Sequence, residues 1–109
     1  MAASKIRAAA ARVGASVVFA RSREAALAEM RAARPSLVVV DLDSPRTDPI
    51  GTIEAVRQDP SLAGVPAVGF VSHVRADVIA AARQAGIGEV LARSAFADKL
   101  PDILAQAGR

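Results

Sequence analysis

Ser36-Leu37-Val38-Val39-Val40-Asp41-Leu42-Asp43-Ser44-Pro45 is the stretch whose reading decides the fold. Four consecutive apolar residues, three of them β-branched, end abruptly in a carboxylate. A second carboxylate lies two positions on, and prolines stand just outside the run at 35 and 45. A short apolar run with these flanks reads as a strand covered on both faces, as in parallel sheets. Asp41 then tips the carboxyl end of that strand, the edge of an open α/β sheet where ligands gather. Leu37 to Val40 is therefore read as the central strand and Asp41 as the candidate working residue.

Outward from this strand, apolar runs alternate with helical patterns. Ser4 to Val13 places Ile6, Ala9, Ala10 and Val13 on one helical face, with Gly14 as the stop. Ala15 to Ala20 reads as a short strand. Ser22 caps a second helix, with Glu24 in its first turn and Ala26, Leu27, Met30 and Ala33 along its apolar side, and Pro35 closes it. Past the central strand, Asp48-Pro49 reads as an N-cap followed by proline at the first helical position, and Ile50, Ile53 and Val56 form a buried stripe up to Asp59-Pro60. Val65 to Val71 is a strand that tolerates Pro66 near its start. Ser72-His73 is a polar turn. Val78, Ala81, Ala82 and Ala85 line a helix ending at Gly86. Glu89 to Ala92 is a last strand, Arg93-Ser94 a connection, and Phe96 to Gln106 a closing helix containing Pro101. The alternation implies right-handed crossovers, a mainly parallel sheet and helices on both faces, in one domain covering residues 1–109.

Composition excludes several chemistries. There is no cysteine and a single histidine, His73, so thiol nucleophiles, thiolate metal sites and a histidine-rich metal centre are out. No apolar run approaches the roughly 20 residues that span a bilayer, and no signal-type hydrophobic segment precedes the first charges, which points to a soluble cytoplasmic protein. The net charge is +3, but the 14 Lys and Arg residues are scattered, and the 3 phenylalanines do not interleave with them for base stacking. Nucleic acid is therefore not an expected partner. His73 beside Ser72 makes no hydrolase triad with Asp41, and Gly86 and Gly88 precede a strand, so they are not a phosphate loop.

Three strand ends carry a polar group: Asp41, Ser72 and Arg93. Parallel strands bring all three to one edge. A carboxylate, a hydroxyl and a fixed cation suit an acyl-phosphate site, the carboxylate as nucleophile and the other two on the phosphoryl oxygens. Asp43 is read as a turn residue and Asp48 as a helix cap. Arg93 is expected to pair with Asp41 as a bidentate structural partner.

On the Val38 to Pro45 segment, the strand-end Ser72, the run Gln84 to Arg93 and Phe96, the chain resembles the receiver domains of bacterial two-component response regulators, from about Ser4 to Leu104. The resemblance implies a flavodoxin-like, doubly wound α/β fold. It implies Asp41 as phosphoacceptor, Ser72 and Arg93 as phosphoryl-site support, and Mg²⁺ on Asp41 and the backbone carbonyl of Asp43. It also implies a histidine kinase or other signalling protein as partner, with output by protein–protein contact and no enzymatic activity. The alternative is a non-phosphorylated pseudo-receiver acting as an interaction or dimerisation module.

The sequence departs from the family at definite points. Receivers begin with a further strand that ends in an acidic pair holding the metal, and Met1-Ala2-Ala3 supplies neither, so the Mg²⁺ site is expected to be weak. Arg93 replaces a lysine, Ser94 a proline, and Val90 a frequent aromatic. Without the first strand, Ala15 to Ala20 must pair directly with the central strand or leave backbone unpaired. That edge suggests a homodimer by strand pairing or exchange, or a rearranged sheet; the other explanation is an N-terminally shortened chain.

Overall fold

The apolar run expected to be the central strand forms β1 (Val38–Asp41), but among the described residues it lies at an edge of the sheet: it pairs in parallel with β2 (Ala67–Val71), the middle strand, which pairs in parallel with β3 (Glu89–Ala92). The computed structural model describes residues 3–20, 22–44, 48–73 and 75–107; Met1, Ala2 and Pro45 of the sequence argument lie outside them. Around this sheet, ordered β1-β2-β3, run α1 (Ala3–Val13), α2 (Arg23–Ala33), α3 (Pro49–Gln58), α4 (Ala76–Ala85) and α5 (Arg93–Ala107).

Strand alternation assigns the two faces. Val39, Val68, Phe70 and Leu91 pack into one cluster with Ala9 and Ala10 of α1 and Phe96, Leu100 and Leu104 of α5. Val38, Val40, Ala67 and Val90 pack into the other with Ile53 of α3 and Ala82 and Ala85 of α4. A smaller cluster joins Met30 of α2 to Val56 and Leu62. Helices therefore cover both faces, and the fold is flavodoxin-like α/β, as the sequence reading expects.

The helix ends follow the chemistry of their flanking residues. Ser22 accepts a hydrogen bond from the Ala25 N–H at 3.1 Å, and Asp48 accepts from the Gly51 N–H at 3.3 Å. Gly14 takes φ +71° after α1, and Gly86 takes φ +117° as the C-cap of α4. Arg57 in the last turn of α3 donates to the carbonyls of Gly86, Ala63 and Val65.

Two further expectations are corrected. Residues 15–20 form no strand. Their burial does alternate, with Ala15 and Val17 half-buried against the α1–α5 cluster and Ser16 and Val18 exposed. A strand also needs a hydrogen-bonded neighbour, however, and among the described residues β1 is laddered only to β2. The connection expected at Arg93-Ser94 is also absent, because α5 begins at Arg93 directly after β3. Phe96, with no exposed surface, anchors that first turn, and Arg93-Ser94-Ala95 contains nothing that resists helical winding.

Candidate functional site

Because the three strands run parallel, their carboxyl ends share one edge. Asp41 is the last residue of β1, Ser72 follows β2 and Arg93 follows β3. The register sets Asp41 opposite Phe70 and Val71 opposite Ala92, so Ser72 and Arg93 lie just past the pairs that close the two ladders. The sequence-predicted residues are therefore brought together, and a fourth joins them.

That fourth residue is Asp43. Its Oδ2 accepts from the Ser72 N–H at 2.8 Å, the Ser72 hydroxyl at 2.6 Å and Arg93 Nη2 at 2.8 Å. Arg93 Nε donates to Ser72 Oγ at 3.2 Å, closing a ring of serine, arginine and aspartate. Arg93 Nη2 stands 3.7 Å from Asp41 Oδ1, and the same Oδ1 accepts from the Asp43 N–H at 2.9 Å. The short contact of Arg93 thus goes to Asp43 and the longer one to Asp41, in place of the bidentate Arg93–Asp41 pair expected from sequence.

The guanidinium is fixed from below as well. It lies 5.0 Å over the Phe70 ring, and Phe70 stacks on Phe96 at 4.7 Å. The hydrogen bond from the Ser72 hydroxyl, followed by the one from Arg93, lowers the Asp43 pKa from the ordinary 3.8 to about 2. Asp43 is therefore an anion throughout the neutral range, held by donors from the ends of β2 and β3.

Asp48 caps α3 and lies 3.7 Å from Arg23, away from this cluster. His73 is exposed on the turn after β2. The Asp43 side chain is what the sequence reading missed. The available signal was two carboxylates at i and i+2 after a strand end, with a guanidinium due at the same edge. Either carboxylate can then take the cation, and the turn at 42–43 delivers the second.

No protein-family model matches the chain, and no curated protein matches it by sequence. Solved structures do match. The phosphorylated cyanobacterial phytochrome response regulator RcpA shares 26% identity with a TM-score of 0.77, over 94% of this chain and 80% of that one. The Vibrio cholerae chemotaxis protein CheY4 shares 17% identity with a TM-score of 0.80, over 97% and 91%. The Mn²⁺-bound form of the response regulator Rcp1 shares 20% identity with a TM-score of 0.70, over 96% and 84%. The fold is that of response-regulator receiver domains.

The Rcp1 structure holds a divalent metal. The donors here fit such an ion poorly. Among the described residues no group of three or more His, Cys, Asp or Glu could hold a metal. Asp41 and Asp43 are the two carboxylates at the edge, and Arg93 Nη2 stands 3.7 Å from one and 2.8 Å from the other. A divalent cation on this pair would sit beside a fixed positive charge and lose part of its attraction. Among the described residues no helix is long and apolar enough to cross a membrane.

Proposed function

We propose that the chain is an atypical receiver domain in phosphorelay signalling, with Asp41 as phosphoacceptor and output through protein–protein contact. The observation that carries this reading is the convergence of a carboxylate, a hydroxyl and an aromatic-backed guanidinium at the ends of three parallel strands. In the transfer, an Asp41 carboxylate oxygen attacks the phosphorus of a partner's phosphohistidine. The O–P bond forms as the P–N bond breaks, and the electron pair leaves on the imidazole nitrogen. Ser72 and Arg93 then hold the phosphoryl oxygens and offset their charge. The partner is a histidine kinase or another signalling protein, the setting is cytoplasmic, and the domain itself is not an enzyme.

A second reading is favoured by Asp43: a pseudo-receiver that is never phosphorylated and acts as an interaction or dimerisation module. Support for the dimer comes from the exposure of Val18 (61%) and Phe19 (37%) beside a sheet whose β1 is laddered on one side among the described residues. Incubation with acetyl phosphate or phosphoramidate, followed by intact-mass measurement, decides between the readings. One added phosphoryl group, labile to hydroxylamine and lost in Asp41→Asn, is the expected result. No mass gain at millimolar donor with Mg²⁺ would leave the pseudo-receiver.

A further inference from the structure

We propose that Asp43 is a built-in occupant of the anion seat made by Ser72 and Arg93, its carboxylate standing where an external oxyanion or a phosphoryl group on Asp41 would bind. This rests on reading Ser72 and Arg93 as an anion seat. Three donors from two chain segments converge on the single oxygen Oδ2: the Ser72 N–H, the Ser72 hydroxyl and Arg93 Nη2. A tetrahedral oxyanion would require these same donors, so it and the carboxylate cannot hold them together. The seat is also preorganised. Phe70 lies under the guanidinium, and Arg93 Nε fixes the Ser72 oxygen from the side. A filled seat keeps Ser72 and Arg93 together without phosphorylation.

Asp43 sits at the turn after β1 with a third of its side chain exposed, so it can swing outward without unfolding the sheet. The chain therefore carries an internal competitor, one covalent turn away, for any phosphoryl group on Asp41. A phosphorylated state forms only when Asp43 leaves Ser72 and Arg93, and Asp43 returns when the phosphoryl group is lost.

The test is an ¹⁵N NMR titration with inorganic phosphate, against sodium chloride at matched ionic strength. It follows the Ser72 amide and the Arg93 Nε–H in the wild type, Asp43→Asn and Asp43→Ala, each also in an Asp41→Asn background. The expected result is saturable shifts in the Asp43 variants and at least about tenfold weaker binding in the wild type, a difference equivalent to roughly 1.4 kcal/mol. Equal affinity in wild type and variants, or no binding in either, would overturn the inference. Should the variants fail to fold, a wild-type crystal grown in phosphate serves instead. Asp43 alone on Ser72 and Arg93, or phosphate there with Asp43 swung outward, supports the inference, and phosphate and Asp43 held there together, or neither of them there, overturns it. Phosphate binding by the Asp43 variants without any acyl phosphate on Asp41 would leave this inference standing and remove the phosphoacceptor role.

Discussion

Replacing Arg57 with alanine tests how the helical layer on one face is tied to the sheet. Arg57 Nε and Nη2 donate to the Gly86 carbonyl at 3.1 and 2.7 Å, and Nη1 donates to the carbonyls of Ala63 and Val65 at 2.9 and 2.6 Å. One guanidinium thus joins the end of α3, the loop leading to β2 and the C-cap of α4. The Gly86 and Val65 contacts are partly buried, and the Ala63 contact is exposed. Hydrogen bonds from charged donors contribute about 1.5–3 kcal/mol each, and partial rehydration of the carbonyls brings the two sheltered contacts to the low end of that range. Arg57→Ala should therefore cost about 3 kcal/mol. Unfolding entropy of about 2.1 cal/mol/K per residue gives roughly 0.23 kcal/mol/K for this length, so Tm should fall by about 13 °C. Arg57→Lys keeps the charge on one ammonium, which cannot reach both loops, and should recover about half the loss. Calorimetry and urea unfolding measure both variants. A drop below about 3 °C for Arg57→Ala would refute the claim that these four bonds tie the layer down.

Gly86→Ala should destabilise by about 1–3 kcal/mol, because φ is +117° and a Cβ would stand 2.6 Å from Arg57 Nε; in the Arg57→Ala background the steric part should vanish, giving a loss smaller than additive by urea unfolding. Phe96→Ala, at a site with no exposed surface and a ring stacked on Phe70, should cost about 3–5 kcal/mol and loosen Arg93, which NMR would show as faster exchange of its Nε–H. Asp43 and Asp59 both have pKa values lowered from 3.8 to about 2, so the stability they contribute is fully present above pH 4 and is lost as pH falls toward 2. The Asp43→Asn/Asp59→Asn double variant should show a flatter acid limb in urea midpoints over that window, and an unchanged limb would contradict the sign. If β1 is a bare edge, the Val39 N–H, pointing opposite to the Val38 N–H that meets the Pro66 carbonyl, should exchange much faster than the Val40 N–H; protection of Val39 that grows with protein concentration would mark strand-paired dimers.

Much of the fold was legible because its signals are local. The apolar run ending at Asp41, the caps Ser22 and Asp48, and the stops at Gly14 and Gly86 each fix an element by chemistry within a few residues. Parallel order followed from the alternation of strands and helices. Residues 15–20 were misread for a reason that is not local. Their alternating burial is a property of the segment, whereas a ladder is a property of two segments, and β1 offers its paired side to β2. The role of Arg57 was hidden in the same way, since its acceptors, the carbonyls of residues 63, 65 and 86, are backbone groups that carry no sequence signature.

The site shows the same limit at atomic scale. Topology alone carries Asp41, Ser72 and Arg93 to one edge, so the trio could be assembled without coordinates. Which carboxylate takes the guanidinium depends on about an ångström of reach, 2.8 Å for Asp43 against 3.7 Å for Asp41, and that difference is set by the turn at 42–43. A charge-assisted bond at 2.8 Å with two further donors on the same oxygen outweighs a single partly exposed ion pair. The cation at the end of β3 therefore serves first as partner to an internal anion, and whatever Asp41 does chemically, it does beside an edge whose strongest donors are already engaged.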